Sequence, residues 1–140
     1  MILSVDDCLV VELPKILDPR GNLTFIENSK HIPFDIKRVF YIYDVPTDAE
    51  RGAHAHKTLH QFLICLSGGL SVSLDDGKRK RRVRLKRPWT GLYIPPLLWA
   101  SEREFDSGTV YMVLASNFYD PGDYIRDYTE FIYAARQDTV

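Results

Sequence analysis

The strongest constraint on the fold of this chain is a series of short apolar and β-branched segments, each followed by a turn signal. These segments span residues 23–27, 37–43, 59–66, 70–74, 91–94 and 109–115. Asp76-Gly77 follows the fourth segment, and an Asp-Gly pair there predicts a hairpin because glycine tolerates the positive φ of the turn. Strands at such short and regular intervals are typical of a sandwich or a small barrel. We therefore predict an all-β domain.

Only the C-terminal tail departs from this pattern. After residues 120–123 (DPGD), apolar side chains recur at helical spacing, namely Tyr124, Ile125, Tyr128, Phe131, Ile132 and Ala135. Either Asp120 or Asp123 could cap a helix, and Pro121 suits its first turn. We expect a single domain over residues 1–140 that ends in a short amphipathic helix.

Length and composition exclude several classes of protein. The chain has 140 residues, of which 45% are hydrophobic, so it can bury a core without disulfides or a structural metal. Cys8 and Cys65 lie in apolar stretches without a CxxC partner, which predicts reduced cysteines and a cytoplasmic protein. The N-terminus lacks the basic start of a signal peptide, and no apolar run approaches the roughly 20 residues of a membrane span. We expect no membrane partner.

The net charge of −1 conceals a basic segment at residues 78–87, KRKRRVRLKR. A block of this kind can bind nucleic acid or another polyanion. Within it, however, Val83 and Leu85 alternate with Arg82, Arg84 and Lys86, which is the period of a strand with one wet face. We therefore predict a solvated strand and no nucleic-acid partner.

Three of the four histidines lie between positions 54 and 60. His54 and His56 are two residues apart, so on a strand both side chains point to the same face. His60 has the same parity, but a strand end before Leu59 could turn it outward. An inward face would place the first two imidazoles side by side inside the fold.

Three explanations of the His54–His56 pair compete. Imidazole binds transition metals, but metal-binding cupins add a glutamate and a further histidine, where this chain has Gln61 and Ala100. Alternatively, the pair could take and return a proton, because an imidazole titrates near pH 6.5. The third explanation is a buried, hydrogen-bonded pair with no role. The missing ligands favour proton transfer, with no metal and no other cofactor.

Most of the chain resembles one enzyme family. The string RGAHAHKTLHQFLICLSGGLSVSLDDG, with IPFDIKRVFYIYDV upstream and GLYIPPLLWASEREF and VYMVLASNFYDPGDYIRDYTEF downstream, closely resembles the sugar-nucleotide 3,4-ketoisomerases. The resemblance implies a cupin (jelly-roll) double-sheet barrel with a short C-terminal helix. It also implies a homodimer formed by strand exchange, in which an N-terminal strand over residues 2–13 could join the neighbour's sheet.

The resemblance further implies a reaction and a substrate. These enzymes act on dTDP-4-keto-6-deoxy-D-glucose: a base removes the C3 proton, an enediol forms, and a proton returned to C4 leaves the ketone at C3. The dTDP-3-keto-6-deoxyhexose product would feed an aminotransferase that makes 3-amino-3,6-dideoxyhexoses for surface glycans such as O-antigen, or for glycosylated natural products. In this chain the catalytic pair carries over onto His54 and His56. The family also has a tyrosine after the KRV segment, and Tyr41 is the candidate here, beside Phe40.

Several residues are candidates for substrate binding. A pyrophosphate requires cations, and Arg20, Lys37, Arg38 and Arg51 are available. Arg51 could instead stabilise the enediolate. Positions equivalent to Arg20 and Ala100 vary within the family and lie near the sugar, so they bear on the configuration at C4 of the product.

Two alternatives to this function stay open. One is a dTDP-sugar 3,5-epimerase-like enzyme; that family is longer, usually pairs its catalytic histidine with an aspartate, and lacks the RGxHAHK string. The other is a cupin that binds a sugar nucleotide without catalysis. Turnover of the 4-keto sugar nucleotide would separate an enzyme from a binding protein.

Overall fold

The computed structural model describes residues 3–136 and consists mainly of two five-stranded sheets. The strands are β1 (Leu9–Glu12), β2 (Lys15–Ile16), β3 (Leu23–Thr24), β4 (Arg38–Ile42), β5 (Arg51–His56), β6 (Gln61–Ser67), β7 (Leu70–Asp75), β8 (Lys80–Leu85), β9 (Thr90–Ile94), β10 (Trp99–Arg103), β11 (Val110–Ala115) and β12 (Tyr124–Ile125). The helix α1 spans Tyr128–Arg136.

The two sheets pack face to face, as predicted for a double-sheet barrel. One sheet has the order β1-β9-β6-β11-β4 and the other has the order β12-β5-β10-β7-β8, with antiparallel pairing throughout. The core between them contains Leu63 and Val113 from the first sheet and Val72, Leu74 and Leu85 from the second. Each strand contributes alternate residues to the core, as expected where two sheets pack face to face.

The predicted hairpin between β7 and β8 is present. Gly77 has φ of +92° in the connecting turn, and the Asp76 carboxylate accepts hydrogen bonds from the backbone N–H groups of Lys78 and Arg79 at 2.9 and 2.8 Å. Side chains of β8 alternate as predicted, with Val83 and Leu85 buried.

Four of the eight basic residues at positions 78–87 form ion pairs within the described part of the chain. Arg79 pairs with Asp6, Arg82 with Glu104, and both Arg84 and Lys86 with Asp106. Arg81 instead donates to the backbone carbonyls of Val5 and Cys8 at 3.1 and 2.7 Å. These internal pairs are what a strand facing solvent at the edge of a sheet would make, and charge on an edge strand discourages pairing with another chain.

The C-terminal segment differs from the prediction. Asp120 caps a single 3-10 turn, Pro121–Asp123, and Tyr124 and Ile125 then pair with β5 as a short strand. The α-helix begins only at Tyr128, where the Asp127 carboxylate accepts from the N–H of Glu130 at 2.9 Å. The prediction that Asp120 or Asp123 caps the helix is therefore wrong.

The helix supports β5 from outside the barrel. Ala55 is the outward residue between the two histidines, and it is buried against Ile125 and Phe131. Since neighbouring residues of a strand point to opposite faces, this packing directs His54 and His56 into the barrel. No helix within residues 3–136 is long and apolar enough to cross a membrane.

Candidate active site

A cavity of about 130 Å³ lies inside the barrel, between the two sheets. Its polar lining consists of Arg51, His54, His56, Gln61, Glu102, Tyr111 and Tyr124. Apolar side chains such as Phe40, Leu63 and Val113 complete the lining. A small apolar chamber with a few convergent polar groups is the usual form of a ligand site.

A bulge in β5 brings its polar residues to one cavity. The pairing of β5 with β10 matches Ala100 with His54 but Ser101 with Gly52, so Ala53 has no partner across the ladder. Gly52 and Ala53 have φ of +78° and +58°. Positions 51 and 54 would face opposite sides of a regular strand, and the extra residue lets both Arg51 and His54 line the cavity.

Only glycine fits at position 52. A Cβ on Gly52 would lie 2.6 Å from the Glu102 Oε2 and 3.0 Å from the backbone oxygen of Ala100. The positive φ is a second constraint, since residues with a side chain rarely adopt it. The glycine of the RGxHAHK string therefore allows a carboxylate of β10 to lie directly against β5.

His56 is held by an aspartate from the C-terminal segment. Its Nδ1 lies 3.2 Å from Asp123 Oδ2, and the same carboxylate accepts hydrogen bonds from Thr58 N and Oγ1 at 2.9 and 2.7 Å. With Nδ1 protonated and donating to Asp123, the Nε2 of His56 is free to accept a proton. That Nε2 is buried and has no hydrogen-bond partner among residues 3–136.

His54 packs edge-on against His56, with the ring centroids 5.0 Å apart. Burial is the largest effect on the pKa of His54 and, with the nearby His56 and Arg126, lowers it to about 4. Burial also lowers the pKa of His56, although the Asp123 carboxylate opposes that shift. Because both values lie below 6.5, both imidazoles are neutral near pH 7.

Tyr124 packs against both imidazoles. Its ring centroid is 4.9 Å from that of His54 and 4.4 Å from that of His56. Arg126 also lies over the tyrosine ring, 4.3 Å from its centroid. This stack restricts rotation of the two histidine side chains and keeps them close together.

Arg51, Glu102 and Tyr111 form a second polar group in the cavity. The Tyr111 hydroxyl donates to Glu102 Oε1 at 3.1 Å, and Arg51 is the residue directly opposite Glu102 across the β5–β10 ladder. Burial raises the pKa of Glu102 to about 7, while the hydrogen bond from Tyr111 and the charge of Arg51 act in the opposite direction. The cavity thus holds a carboxyl group that titrates near neutrality.

The structure places the predicted residues unequally. His54, His56, Arg51 and Ala100 all line the cavity. Arg38 lies beside it, in a smaller recess that also contacts His56, Asp123 and Tyr124, and its Nε is buried without a hydrogen-bond partner in the described part of the chain.

Tyr41 does not line the cavity. Its side chain is 62% exposed on the outer face of β4, where it packs against Tyr43. Strand alternation puts Phe40 and Ile42 on the inner face instead. The residues of this strand that line the cavity are therefore Phe40 and Ile42, and neither has a hydroxyl.

Arg20 and Lys37 also lie outside this cavity. Arg20 is in the turn between β2 and β3, where its guanidinium pairs with Asp18 at 2.8 Å and its side chain is 90% exposed. Lys37 is exposed just before β4.

His60 lies outside the cavity. The chain turns after β5 ends at His56, as a strand end before Leu59 allows, and the Nδ1 of His60 lies 2.7 Å from the Tyr93 hydroxyl.

The cavity does not contain the ligand set of a metal site among the described residues. Within residues 3–136, no group of three or more His, Cys, Asp or Glu side chains is arranged to hold a metal ion. Gln61 and Ala100 line the cavity with the two histidines, and neither is a good ligand for a transition metal.

Sequence reasoning did not identify four residues of this site: Asp123, Tyr124, Glu102 and Tyr111. Helical spacing predicts Asp123 as a possible helix cap and Tyr124 as helical, and the pairing of β12 with β5 is what brings both residues to the histidines. Glu102 had a signal in the sequence, because it is two residues after Ala100 on a strand and so shares its face.

Fold and site together define a cupin-type double-sheet barrel with a histidine pair in its cavity. Residues 6–136 match the family described as "FdtA: WxcM-like, C-terminal", and the chain belongs to that family. The chain is 49% identical over 122 residues to the TDP-4-oxo-6-deoxy-α-D-glucose-3,4-oxoisomerase of Aneurinibacillus thermoaerophilus, covering 87% of this chain and 88% of that protein. The predicted resemblance to sugar-nucleotide 3,4-ketoisomerases is confirmed.

Solved structures agree with this assignment. The 3,4-ketoisomerase QdtA from Thermoanaerobacterium thermosaccharolyticum, crystallised with TDP, is 42% identical and superposes with a TM-score of 0.94 over 98% of this chain and all (100%) of that one. The TDP-quinovose 3,4-ketoisomerase WlaRB from Campylobacter jejuni is 46% identical, with a TM-score of 0.89 over 92% of this chain and 99% of that one. The predicted cupin-like fold is confirmed.

Proposed function

We propose that this chain is a TDP-sugar 3,4-ketoisomerase that moves the keto group of TDP-4-keto-6-deoxyglucose from C4 to C3. The expected activity class is confirmed at the level of the family, since the relatives carry that name. The substrate is the one bound to a histidine-to-asparagine variant of QdtA, which is 42% identical to this chain with a TM-score of 0.93, over 96% of this chain and 97% of that one.

The observation that carries the proposal is the pair of neutral imidazoles in the cavity. His54 Nδ1 and His56 Nε2 are both buried and lack a hydrogen-bond partner within residues 3–136. A buried polar atom without a partner is costly, and a substrate with hydroxyl and carbonyl groups would supply partners. Two proton-carrying groups side by side are what a reaction with one proton removal and one proton return requires.

The reaction needs no group beyond acids and bases. The C4 ketone acidifies the C3–H bond; a base takes that proton, and the electron pair forms the C3–C4 double bond of an enediolate. A proton passes from the C3 hydroxyl to the C4 oxygen. Protonation of C4 then leaves the carbonyl at C3, so that atoms and electrons balance without an oxidant or a reductant.

Asp123 gives the two histidines different properties. Its carboxylate stabilises a positive charge on His56 and selects the tautomer with Nε2 free. His54, with a pKa of about 4, has no such partner and stays neutral. Each imidazole presents a ring nitrogen without a hydrogen-bond partner in the described part of the chain, so exchange of the C3 proton in single variants distinguishes the base from the acid.

Charged groups around the cavity suit the rest of the substrate. The cavity of about 130 Å³ is smaller than an ordinary ligand pocket, which has roughly 300 Å³ or more, so we place only the sugar inside it and the nucleotide at its mouth. Arg38, with an unsatisfied Nε next to His56, is our candidate for the pyrophosphate. Arg51 is our candidate for the enediolate oxygen, while Arg20 and Lys37 remain predicted binding residues.

The two alternative functions differ from a ketoisomerase in what happens to the substrate. A His–Asp pair like His56–Asp123 also suits a 3,5-epimerase-like enzyme, so this pair does not separate the two reactions. An epimerase would return the proton to the opposite face of its original carbon and leave the ketone at C4. A binding protein would leave the substrate unchanged.

An NMR time course distinguishes these outcomes. The purified chain is mixed with TDP-4-keto-6-deoxyglucose, and the carbonyl position is followed through the carbon shifts of C3 and C4. We expect the ketone at C3, and the product should be captured by a 3-aminotransferase. The coupling between H4 and H5 gives the configuration at C4, to which Arg20 and Ala100 are the predicted contributors. A ketone that stays at C4 would reject the proposal.

A further inference from the structure

We propose that Arg126 is a positioning residue of this site: its guanidinium holds the Tyr124 ring against the imidazoles of His54 and His56 and favours the state in which both imidazoles are neutral. The effect on catalysis rests on the proposed function, but the arrangement of the four side chains does not depend on it. The mechanism above assigns no task to Arg126.

The first argument is the register of β12. Its two residues, Tyr124 and Ile125, pair with His56 and Ala55 of β5. Ile125 is buried against Ala55 on the outer face of the barrel, so strand alternation places Tyr124 on the inner face with the histidines. Arg126 directly follows the strand, and the same alternation directs its side chain towards the side of Tyr124.

The second argument is the set of contacts made by the tyrosine ring. The Arg126 Cζ lies 4.3 Å from the centroid of the Tyr124 ring, and the same centroid lies 4.9 Å from that of His54 and 4.4 Å from that of His56. A cation over an aromatic ring is attracted by the electron density of the ring face. Rotation of Tyr124 away from the imidazoles would therefore also break its contact with the guanidinium.

The third argument is that the tyrosine ring is the contact that places Arg126. The guanidinium forms no ion pair with a carboxylate of residues 3–136. The neighbouring Asp127 carboxylate instead accepts from the backbone N–H of Glu130. An exposed arginine without an ion pair has many conformations available, so attraction to the ring is what keeps this guanidinium beside the site.

The charge of Arg126 acts in the same direction as burial. A nearby positive charge disfavours a proton on an imidazole, and Arg126 contributes in this way to the lowered pKa of both His54 and His56, after the larger effect of burial. The other charged and titratable groups around the pair are Arg38 from β4, Arg51 from β5, Glu102 from β10, Tyr111 from β11 and Asp123 before β12. Asp123 opposes the shift at His56.

The test compares Arg126→Gln, which removes the charge, with Arg126→Lys, which keeps it. The matched control is Arg87→Gln, because Arg87 is also exposed and lies over an aromatic ring, 5.7 Å from the Trp89 centroid, but does not line the cavity. Nuclear Overhauser contacts between the Tyr124 ring and the two imidazoles are measured in the ligand-free protein. They should weaken in Arg126→Gln and persist in Arg126→Lys and in the control.

The same samples are titrated between pH 8 and pH 4, with the imidazole signals assigned by their absence in His54→Asn and His56→Asn. The pKa of His54 should rise by about half a unit in Arg126→Gln, as for the removal of one partly screened charge, and stay at the wild-type value in Arg126→Lys. Unchanged ring contacts, or an unchanged pKa of His54, would overturn the proposal whatever the effect on TDP binding. If Arg126→Gln fails to fold, Arg126→Met replaces it with the same expectations.

Turnover separates this inference from the proposed function. With TDP-4-keto-6-deoxyglucose, Arg126→Gln should lower kcat/KM by roughly two- to fivefold, the equivalent of one exposed cation–π contact, and Arg126→Lys should restore it. If the ring contacts and the titration behave as expected but the wild type does not isomerise the sugar nucleotide, the proposed function fails while the arrangement stands. A wild-type rate in Arg126→Gln, despite altered imidazole signals, would overturn the positioning role.

Discussion

The His56 Nδ1 and the Asp123 carboxylate lie 3.2 Å apart, although 67 positions separate them in the chain. The aspartate reaches the histidine because β12, which follows it, pairs with β5 along Ala55 and His56. The C-terminal segment is thus both a structural closure of the sheet and a wall of the candidate active site.

Replacement of Asp123 by Asn should impair catalysis more than folding. The amide oxygen can still accept from Thr58 N and Oγ1, but the amide nitrogen cannot accept from His56 or from Leu59 N, so the variant no longer stabilises a charged His56 or enforces its tautomer. We expect kcat to fall by roughly 10- to 100-fold, as for the loss of a charged hydrogen bond, with a melting temperature close to that of the wild type. Asp48→Asn, at an exposed loop position, is the control. Wild-type kcat in Asp123→Asn would show that His56 works without this partner.

Stability should decrease on acidification because of the two histidines. Burial lowers the pKa of His54 and His56 in the folded chain, so the unfolded chain binds more protons as the pH falls below about 6.5. The free energy of unfolding should therefore fall from pH 6.5 towards pH 4, the value of about 4 for His54 marking the lower end. Urea denaturation at several pH values measures this. The slope of the free energy of unfolding against pH should be smaller in the double variant His54→Asn/His56→Asn. An unchanged slope would show that the two histidines do not cause the loss of stability.

The sequence predicts the strands well because their signals are local. Alternation in Leu70–Asp75 and Lys80–Leu85, and the glycine between them, specify a hairpin without reference to the rest of the chain. The shared face of His54 and His56 follows from the same period of two. The family resemblance added the barrel and the reaction.

The remainder of the site depends on long-range packing. Arg51 shares the cavity with His54 only because of the bulge at Ala53, and a bulge leaves no clear mark in a single sequence. Tyr41 is a candidate by resemblance, but the direction of β4 places Phe40 inside. Helical spacing after Asp120 concealed a strand, because the pairing of Tyr124 with His56 outweighs local propensity there.

Activity should survive exhaustive chelation. The positions where a carboxylate and a further imidazole would be expected hold Gln61 and Ala100, and both histidines have tasks in proton transfer. We expect dialysis against a strong chelator to leave kcat/KM within about twofold, with Zn²⁺, Fe²⁺ and Mn²⁺ giving no increase when added back. Loss of activity with chelator and its return with one metal would contradict this expectation.

The chain should form a homodimer. Strand β4 is at the edge of its sheet, and its outward side chains Val39, Tyr41 and Tyr43 are 52%, 62% and 61% exposed. Exposed edges and apolar faces of this kind are usually covered by another chain. Light scattering at micromolar concentration should give twice the mass of the chain, and a monomer alone would reject the prediction. The N-terminal strand is predicted over residues 2–13, of which residue 2 lies outside the described residues. In the single chain, β1 pairs with β9 and Val10 lies opposite Leu92. If the strand is exchanged, the same pair joins two chains, so cysteines at these two positions should form a cross-link between chains.

The two histidines should be separable by isotope exchange. Asparagine keeps much of the size and hydrogen bonding of histidine but does not titrate, so His54→Asn and His56→Asn should both fold. Each variant should lose on the order of 10² to 10⁴ in rate, the usual contribution of general acid–base catalysis. In deuterated buffer, the variant that lacks the base should also stop exchanging the C3 proton of the substrate.

The variant that lacks the proton donor to C4 should behave differently. Its enediol can still form and return, so C3 exchange continues while product does not accumulate. Arg51→Lys should instead weaken both steps together, because lysine keeps the charge but not the two-pronged geometry of the guanidinium. A folded double variant His54→Asn/His56→Asn that turns over at the wild-type rate would eliminate the mechanism, and the T-shaped contact of the two rings at 5.0 Å would then be core packing.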